Sequence, residues 1–318
     1  MTHDIAVTSV PSMDVYVVDD VPQPTLLGSC GVYIAIMLAR LGADTVYAGP
    51  VGDGFDPAVL APLQAVGLNV RLTRMPGPVA TLRLIGHASG QIDRAIYDPG
   101  AGYSFTADRL DPAFWDSRAY WLGTAPYPLQ LAVAARGHAT GVPVYLTTQG
   151  EFAGKYDDLA KLIPDLSLLF TNTGELINIG FGGLVKSLHT LRELNPSLQM
   201  TVTRGKRGAW FIDGDEIHSI PAYPMPESIN VVGAGDTFAG TFIHGGIRGM
   251  PIDERLRCAA AAAALKLRGF SYGGQPSEME LAAWLAEIRP HLPVEQVRWG
   301  GAEAEAWFRA EADIVEKR

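Results

Sequence analysis

The run Gly233-Ala234-Gly235-Asp236 places three small residues directly before a carboxylate. Small residues let the backbone turn tightly and come close to a ligand. The apolar-rich stretch from Thr237 to Ile247 predicts a helix, and the first N–H groups of a helix, together with its dipole, form a site for anions. A carboxylate beside such a site has a use in phosphoryl transfer, where Asp236 would accept the proton of the attacking hydroxyl.

The same run has a purely structural interpretation. Many strand-to-helix turns carry Gly-x-Gly for steric reasons alone. The spacing is neither that of a Walker A loop, which requires Gly-Lys-Ser/Thr, nor that of a dinucleotide-binding fingerprint. Residue types and spacing therefore leave two alternatives open for Gly233–Asp236, a phosphate-handling site and a structural turn.

Polar residues next to predicted strands are further candidates. Asp14 lies between two strand-like apolar pieces, while Asn172 and Glu175 follow the predicted strand Leu166–Phe170. Ligands of open α/β sheets gather at the carboxyl ends of strands. The structural alternatives are a turn aspartate that satisfies its own backbone and an Asn172 helix cap with Glu175 in the first helical turn.

Composition excludes several classes of function. The 318 residues include 25 basic and 34 acidic side chains, for a net charge of −9, and no basic block, which argues against binding of nucleic acid or an anionic membrane. Two cysteines, Cys30 and Cys258, argue against a disulfide framework. Because no signal peptide and no apolar run of about 20 residues is visible, we expect a soluble cytoplasmic protein.

Strand and helix patterns alternate along most of the chain, which predicts an α/β fold with a central, mostly parallel sheet flanked by helices. Alternating segments around the turn Ala88–Gln91 predict a β-hairpin. Asp53 is at the right distance to cap a helix that begins near Asp56-Pro57. The other predicted strands and helices are Thr45–Gly49, Ala119–Gly123, Val142–Leu146, Val32–Leu41, Leu129–His138 and Asp253–Arg268.

Four segments together resemble the ribokinase-like (PfkB) carbohydrate kinase family: Gly233–Phe238, Asn172–Glu175, Thr203–Gly208 and Gly49–Asp53. The resemblance extends from Asp14 through Gly274. It implies one ribokinase-like α/β domain over residues 1–318, with a small β-sheet lid inserted at about 12–20 and 80–98. It also implies an ATP-dependent kinase that phosphorylates a hydroxyl of a sugar or sugar-containing molecule.

The resemblance also assigns roles to individual residues. Asp236 would be the general base, and Gly233, Ala234 and Gly235 would form the anion hole with it. Glu175 and Asn172 would place Mg²⁺, which prefers oxygen ligands. The remaining positions would bind the nucleotide (Asn172, Thr203, Gly205 and Gly208) or the substrate (Asp14, Gly28, Ser29 and Tyr33).

The sequence departs from the family on the substrate side, where Ser29 and Tyr33 replace a glycine and an asparagine. Family members often bind a monovalent cation through an aspartate at the position of Asn230, and the missing charge argues against dependence on potassium. Residues 269–274 lie where the family wraps a loop around adenine. Lids of this family often pair into homodimers, and the sequence itself leaves the oligomeric state open.

Three alternatives to a sugar kinase remain at this point. The first is a nucleoside kinase of the same family. The second is a non-catalytic sugar or nucleotide sensor with the same fold, against which the intact Asp236 and Glu175 argue. The third, an enzyme with a dinucleotide cofactor, is disfavoured because no Gly-x-Gly-x-x-Gly turn follows the first strand.

Overall fold

The computed structural model of the chain describes residues 2–87, 92–225 and 230–316. Short runs of alternating or fully apolar residues form its strands. In chain order the strands are β1 (Ile5–Thr8), β2 (Ser12–Val18), β3 (Val21–Pro22), β4 (Leu26–Gly28), β5 (Thr45–Asp53), β6 (Asn69–Pro78), β7 (Thr81–Gly86), β8 (Ile92–Asp98), β9 (Tyr120–Leu122), β10 (Val144–Thr147), β11 (Leu168–Asn172), β12 (Gln199–Thr203), β13 (Ala209–Asp213), β14 (Glu216–Ile220) and β15 (Glu295–Arg298).

The helices lie between these strands, as the alternating pattern predicts. They are α1 (Cys30–Arg40), α2 (Ala61–Ala65), α3 (Pro112–Trp115), α4 (Tyr127–Thr140), α5 (Tyr156–Leu162), α6 (Thr173–Ile179), α7 (Leu184–Leu194), α8 (Ala234–Ile247), α9 (Ile252–Lys266), α10 (Glu278–Ile288) and α11 (Ala302–Val315). Among the described residues, none of these helices combines the length and the apolar character that a membrane crossing requires.

Most strands join one large sheet, whose order is β15-β14-β13-β12-β11-β10-β9-β1-β5-β6. Neighbours from β12 to β6 run parallel, whereas β13, β14 and β15 extend the other edge in antiparallel pairs. Parallel neighbours need crossover connections, which the helices supply. The prediction of a central, mostly parallel sheet flanked by helices is confirmed.

Alternation along the central strand divides the core between the two faces of the sheet. Ile5 and Val7 of β1 point into one apolar cluster, which α1, α8, α9 and α10 cover. Ala6 points into the other cluster, which α3–α7 and α11 cover. The carboxyl ends of the parallel strands are thereby left as the edge at which ligands gather in such sheets.

A second, smaller sheet contains β3, β2, β7 and β8, with β4 paired to β2. Strand β7 pairs antiparallel with β8, which confirms the predicted hairpin, although its turn at 88–91 lies outside the described residues. Strand β2 runs parallel to β7 with Met13 opposite Thr81. The small sheet at about 12–20 and 80–98 is confirmed, and its action as a lid stays a prediction.

One helix cap was assigned wrongly from the sequence. Strand β5 continues to Asp53, whose carboxylate accepts a hydrogen bond from the Gly77 N–H at 3.0 Å in the neighbouring strand. The cap is Asp56, which accepts the N–H of Ala58 at 2.9 Å. Strand β5 is longer than its apolar pattern indicates, so Asp53 belongs to the end of this strand and does not cap a helix.

Candidate active site

Gly233 forms the turn that starts α8. It adopts a left-handed conformation with φ of 81°, which favours glycine. A Cβ at this position would lie 2.3 Å from two ring atoms of Tyr33, a distance that real contacts do not allow. Both the backbone angle and the neighbouring ring therefore require glycine here, and the tight turn expected from the sequence is present.

Two backbone N–H groups at this turn have no acceptor among the residues that the structure describes. The Ala234 N–H bonds back to the Val231 carbonyl at 3.2 Å, whereas those of Gly235 and Asp236 meet no acceptor in the described part of the chain. Gly235 is exposed, and a Cβ built on it would have open space within 4 Å. Unpaired N–H groups at a helix start, facing open space, are suited to hold an anion.

The Asp236 carboxylate lies in the first turn of α8 beside these N–H groups. It is partly exposed, and no hydrogen bond to it comes from the residues that the structure describes. Burial, followed by the negative charge of Glu175, raises the pKa of Asp236 to about 7, while the charge of Lys266 acts in the opposite direction. A carboxylate with a pKa near neutral is matched to general-base work.

Glu175 is positioned by the end of β11 and the start of α6. Asn172 caps α6 by accepting the Glu175 N–H at 2.9 Å, and Glu175 Oε2 accepts the Asn172 N–H at 3.3 Å. The Thr148 hydroxyl donates to the same oxygen at 2.7 Å. Burial raises the pKa of Glu175 to about 7, although these hydrogen bonds lower it.

Asn172 and Glu175 thus cap α6, and the cap uses one of the two oxygens of the Glu175 carboxylate. All the hydrogen bonds to the Glu175 carboxylate in the described part of the chain go to Oε2, so Oε1 accepts none from those residues. No group of three or more His, Cys, Asp or Glu side chains among those described could form a metal cage. The donor set fits a Mg²⁺ ion that keeps most of its waters and arrives with a nucleotide.

The nucleotide residues predicted from the sequence lie along the neighbouring strand end. Thr203 pairs with Asn172 across β12 and β11, which brings the two side by side. Gly208 has φ of 93°, and a Cβ there would lie 1.9 Å from the Ile220 carbonyl oxygen, so its need for glycine is structural. Gly205, with φ of 59°, faces open space instead.

The arginines of this loop are held by the C-terminal helix. Arg207 donates hydrogen bonds to both carboxylate oxygens of Glu311 in α11, the one from Nε to Oε2 at 2.8 Å. Arg204 Nη1 lies 3.8 Å from Glu311 Oε2, and the Arg204 guanidinium stacks on Trp210. Burial lowers the pKa of Arg204 to about 10 despite the nearby Glu311 charge. The C-terminal helix, to which the sequence assigns no role, therefore stabilises the loop at Gly205–Gly208.

The substrate-side residues come together at β2, β4 and α1. Asp14 is 2% exposed and accepts a 2.6 Å hydrogen bond from Ser12 on Oδ1, and burial raises its pKa to about 7. A Cβ on Gly28 would lie 1.7 Å from Asp14 Oδ2, so glycine leaves room for the carboxylate. Ser29 adopts φ of 106°, a conformation that favours glycine, and donates to Ser9 at 2.8 Å.

Tyr33 is buried, with 3% of its surface exposed. Its hydroxyl lies 3.0 Å from the Tyr16 hydroxyl on the small sheet and 2.6 Å from Ser271 Oγ in the 269–274 loop. Its ring packs against Gly233 at the turn that starts α8. Tyr33 therefore joins three parts of the site through packing, and its contact with a substrate stays a prediction.

Two residues of the site were not recognised from the sequence. The Thr148 hydroxyl supports Glu175 from the adjacent strand end. Lys266 is fully buried, and its charge lowers the pKa of Asp236. The signal that the sequence offered was the position of each residue: Thr148 follows a parallel strand, and Lys266 ends the helix that packs on α8.

Similar proteins share this architecture. A family model described as pfkB family carbohydrate kinase matches residues 30–277. In sequence the chain is 25% identical over 258 residues to a cytidine kinase of Thermococcus kodakarensis, covering 80% of this chain and 92% of that protein.

Two solved structures have the same fold at low sequence identity. Arabidopsis thaliana ribokinase, solved with ribose and ATP, has a TM-score of 0.75 at 20% identity, covering 90% of this chain and 99% of that one. Burkholderia thailandensis nucleoside kinase, solved with inosine, has a TM-score of 0.77 at 20% identity, covering 91% and 100%. The predicted ribokinase-like fold is confirmed.

Proposed function

The chain belongs to the pfkB family of carbohydrate kinases, and from this premise we propose that it transfers the terminal phosphoryl group of ATP to a hydroxyl of a sugar or a sugar-containing small molecule. One observation carries the proposal: the N–H groups of Gly235 and Asp236, which meet no acceptor among the described residues, lie beside a carboxylate with a pKa of about 7. Anion binding and proton acceptance are the two tasks that this transfer sets a protein.

The proposed reaction has one displacement step. The acceptor hydroxyl gives its proton to the Asp236 carboxylate while its oxygen bonds to the phosphorus, and the bond from that phosphorus to the ADP oxygen breaks. The N–H groups of Gly235 and Asp236 stabilise the charge on the transferring phosphoryl oxygens. The open space before Gly235 gives the phosphoryl group access to them.

The nucleotide side would use the ends of β11 and β12. Asn172 and Glu175 would hold Mg²⁺ largely through water, and the ion, when bound, neutralises polyphosphate charge. Thr203 lies beside Asn172 at the same sheet edge, and Gly205 follows two residues later in the loop after β12. Both would contact the nucleotide. Gly208 would act indirectly, since its contacts are with β14 and the backbone that follows.

The acceptor would bind on the small-sheet side of the site. Asp14 Oδ2 accepts no hydrogen bond from the described residues and would take one from an acceptor hydroxyl. A nucleoside acceptor is the second candidate, favoured by the similarity to a cytidine kinase over 92% of that protein. A nucleoside carries the same kind of sugar hydroxyl, so the same groups would serve both acceptors.

A panel of sugars and nucleosides, each incubated with ATP and Mg²⁺, tests the proposal. Formation of ADP that depends on one acceptor, with a phosphorylated product seen by mass spectrometry, is the expected result. Incubation without an acceptor controls for ATP hydrolysis. Binding of ATP and a sugar without any transfer would contradict the proposal and support a non-catalytic sensor.

A further inference from the structure

Lys266 is a charged residue buried inside the active-site region. It ends α9 and has 0% of its surface exposed. Its ammonium Nζ donates to the Asn230 carbonyl oxygen at 2.8 Å and to Asn230 Oδ1 at 3.1 Å. Lysine is almost never fully buried unless it is partnered. Both of its described partners are oxygens of one buried residue, which resembles the way a protein holds a metal cation.

The position of this ammonium connects it to the anion hole. Asn230 lies three residues before Gly233, and between them the Val231 carbonyl accepts the Ala234 N–H. Holding Asn230 therefore fixes the start of the turn that aims the free N–H groups. The charge also reaches the carboxylate, because Lys266 lowers the pKa of Asp236 while Glu175 raises it.

The burial has an electrostatic cost that a purely structural residue would avoid. Burial lowers the pKa of Lys266 to about 8, and the charge of Asp236 acts against this shift. An apolar side chain of similar length would fill the same space without desolvating a charge. A group retained at such a cost, next to a site that handles anions, is suited to supply positive charge there.

We propose that the Lys266 ammonium is a fixed internal cation of the active site, which positions the turn at Asn230 and takes the place of a bound monovalent cation. Lys266 is a positioning residue, since it acts on the anion hole and on Asp236 through Asn230 and through its charge. The inference rests on the proposed function, because a cation at this point matters when a phosphoryl group is transferred beside it.

The proposal has a direct chemical consequence. Lys266→Met retains most of the apolar stem and removes the ammonium, which leaves the two buried Asn230 oxygens without a donor. Buried oxygens without a partner are costly, and a cation with oxygen ligands, such as K⁺ or NH₄⁺, would satisfy them. The variant should therefore acquire a requirement that the unaltered protein lacks.

The experiment compares the unaltered protein with Lys266→Met in KCl and in choline chloride of equal ionic strength. Affinity for a non-hydrolysable ATP analogue, thermal stability and phosphoryl transfer are measured in each salt. The unaltered protein should behave alike in both. In choline, Lys266→Met should lose about tenfold or more in transfer, the effect of one pKa unit of lost charge stabilisation, and K⁺ should restore it.

Two further variants sharpen this test. Adding Asn230→Asp to Lys266→Met supplies a carboxylate ligand, so less K⁺ should be needed for the same recovery. Lys161→Met, at an exposed position of α5, is the matched control and should show no difference between the salts. In Lys266→Met, the pH below which kcat/KM decreases should move to a higher value, and K⁺ should return it to the original value. A lysine with a merely structural role would not produce this change.

Several outcomes would overturn the proposal. A tenfold dependence of transfer on K⁺ in the unaltered protein would overturn the proposal. This measurement needs no variant, so it applies even if Lys266→Met does not fold. Full transfer by Lys266→Met in choline would also overturn the proposal, as would a loss that no monovalent cation repairs. Analogue binding and stability do not depend on transfer, so they test the role of Lys266 separately from the proposed function. If Lys266→Met alone binds the analogue in a K⁺-dependent way, and neither protein transfers a phosphoryl group to any acceptor, only the proposed function is refuted.

Discussion

The two sides of the active site differ in how their polar groups are satisfied. On the phosphoryl side, the N–H groups of Gly235 and Asp236 and one oxygen of Glu175 are left without partners among the described residues. On the side proposed for the acceptor, the hydroxyl of Tyr33 is bonded by two neighbours and Ser29 is bonded to Ser9, whereas Asp14 Oδ2 accepts no hydrogen bond from the described residues.

This difference follows the sequence. Gly233–Asp236 and Asn172–Glu175 match the family's motifs and leave polar groups open among the described residues, whereas Ser29 and Tyr33, which depart from those motifs, bond to the protein itself. Buried polar groups in proteins are usually hydrogen-bonded, so groups left open are suited to a ligand. Under the proposed function, the matching segments would carry the transfer, and the departing residues would bear on the choice of acceptor.

The largest effect is expected from Asp236→Asn on the phosphoryl side. Turnover should fall by about two to four orders of magnitude, the usual size of a general-base contribution, while affinity for an ATP analogue changes little. Transfer assays and calorimetry on the same preparation measure the two quantities. Near-normal turnover in the variant would remove Asp236 from the mechanism.

The pH dependence of the unaltered protein tests the same role of Asp236. Because Asp236 must be ionised to accept a proton and its pKa is raised to about 7, kcat/KM should decrease as pH falls below about 7. The pKa of Asp236 in the folded protein, about 7, lies above its ordinary value of 3.8. Ionisation of Asp236 therefore lowers the stability of the folded protein as pH rises between these two values. Asp236→Asn should therefore melt higher than the unaltered protein at pH 8 and alike at pH 4, and the reverse pattern would contradict the raised pKa.

Gly233→Ala should have the next largest effect. A φ of 81° costs an alanine about 1–2 kcal/mol, and the new methyl group would meet the Tyr33 ring. Displacing the N–H groups should lower kcat by about 10²- to 10³-fold, as loss of an oxyanion donor does. Gly235→Ala is the matched control: its methyl meets open space, so denaturant unfolding should show normal stability although transfer is impaired.

Glu175→Gln should have an intermediate effect. Glutamine preserves the capping box with Asn172, so the free energy of unfolding should change little, but the charge that favours Mg²⁺ is lost. Transfer at limiting Mg²⁺ should fall by about 10- to 100-fold and recover at high Mg²⁺. Glu193→Gln, at an exposed position of α7, serves as control, and an unchanged Mg²⁺ titration of Glu175→Gln would limit Glu175 to capping.

The smallest effect is expected at Ser29 on the acceptor side. Its φ of 106° stores roughly 1–3 kcal/mol of strain in a non-glycine residue, more than the roughly 1 kcal/mol of its hydrogen bond to Ser9. Ser29→Gly should therefore raise the melting temperature, and Ser29→Ala, which keeps the strain and loses the bond, should lower it. If neither variant changes acceptor KM, the substrate-binding role predicted for Ser29 is wrong.

Local patterns in the sequence were sufficient for the fold and for the local geometry of two segments, whereas the catalytic roles of these segments stay predictions. Gly233–Asp236 and Asn172–Glu175 each act within one turn of chain, so residue type and spacing carried their geometry. Parallel pairing follows from alternating strands and helices, which the sequence also shows. Asp53 was misassigned because strand length depends on pairing with β6, not on its own residues.

The remaining features depend on tertiary contacts that no local pattern contains. The hydroxyl of Tyr33 meets partners 17 and 238 positions away in the chain. Thr148 reaches Glu175 from a neighbouring strand, and Lys266 reaches Asn230 across 36 positions. The sequence showed that these positions were unusual or charged, but their partners became visible only in the folded chain.

A crystal structure of the protein with a non-hydrolysable ATP analogue, Mg²⁺ and a confirmed acceptor tests the central claim most directly. The account predicts terminal phosphate oxygens within hydrogen-bond distance of the Gly235 and Asp236 N–H groups, and the acceptor hydroxyl about 2.6–3.2 Å from the Asp236 carboxylate. A terminal phosphate bound away from these N–H groups, or an acceptor hydroxyl facing a different base, would contradict it.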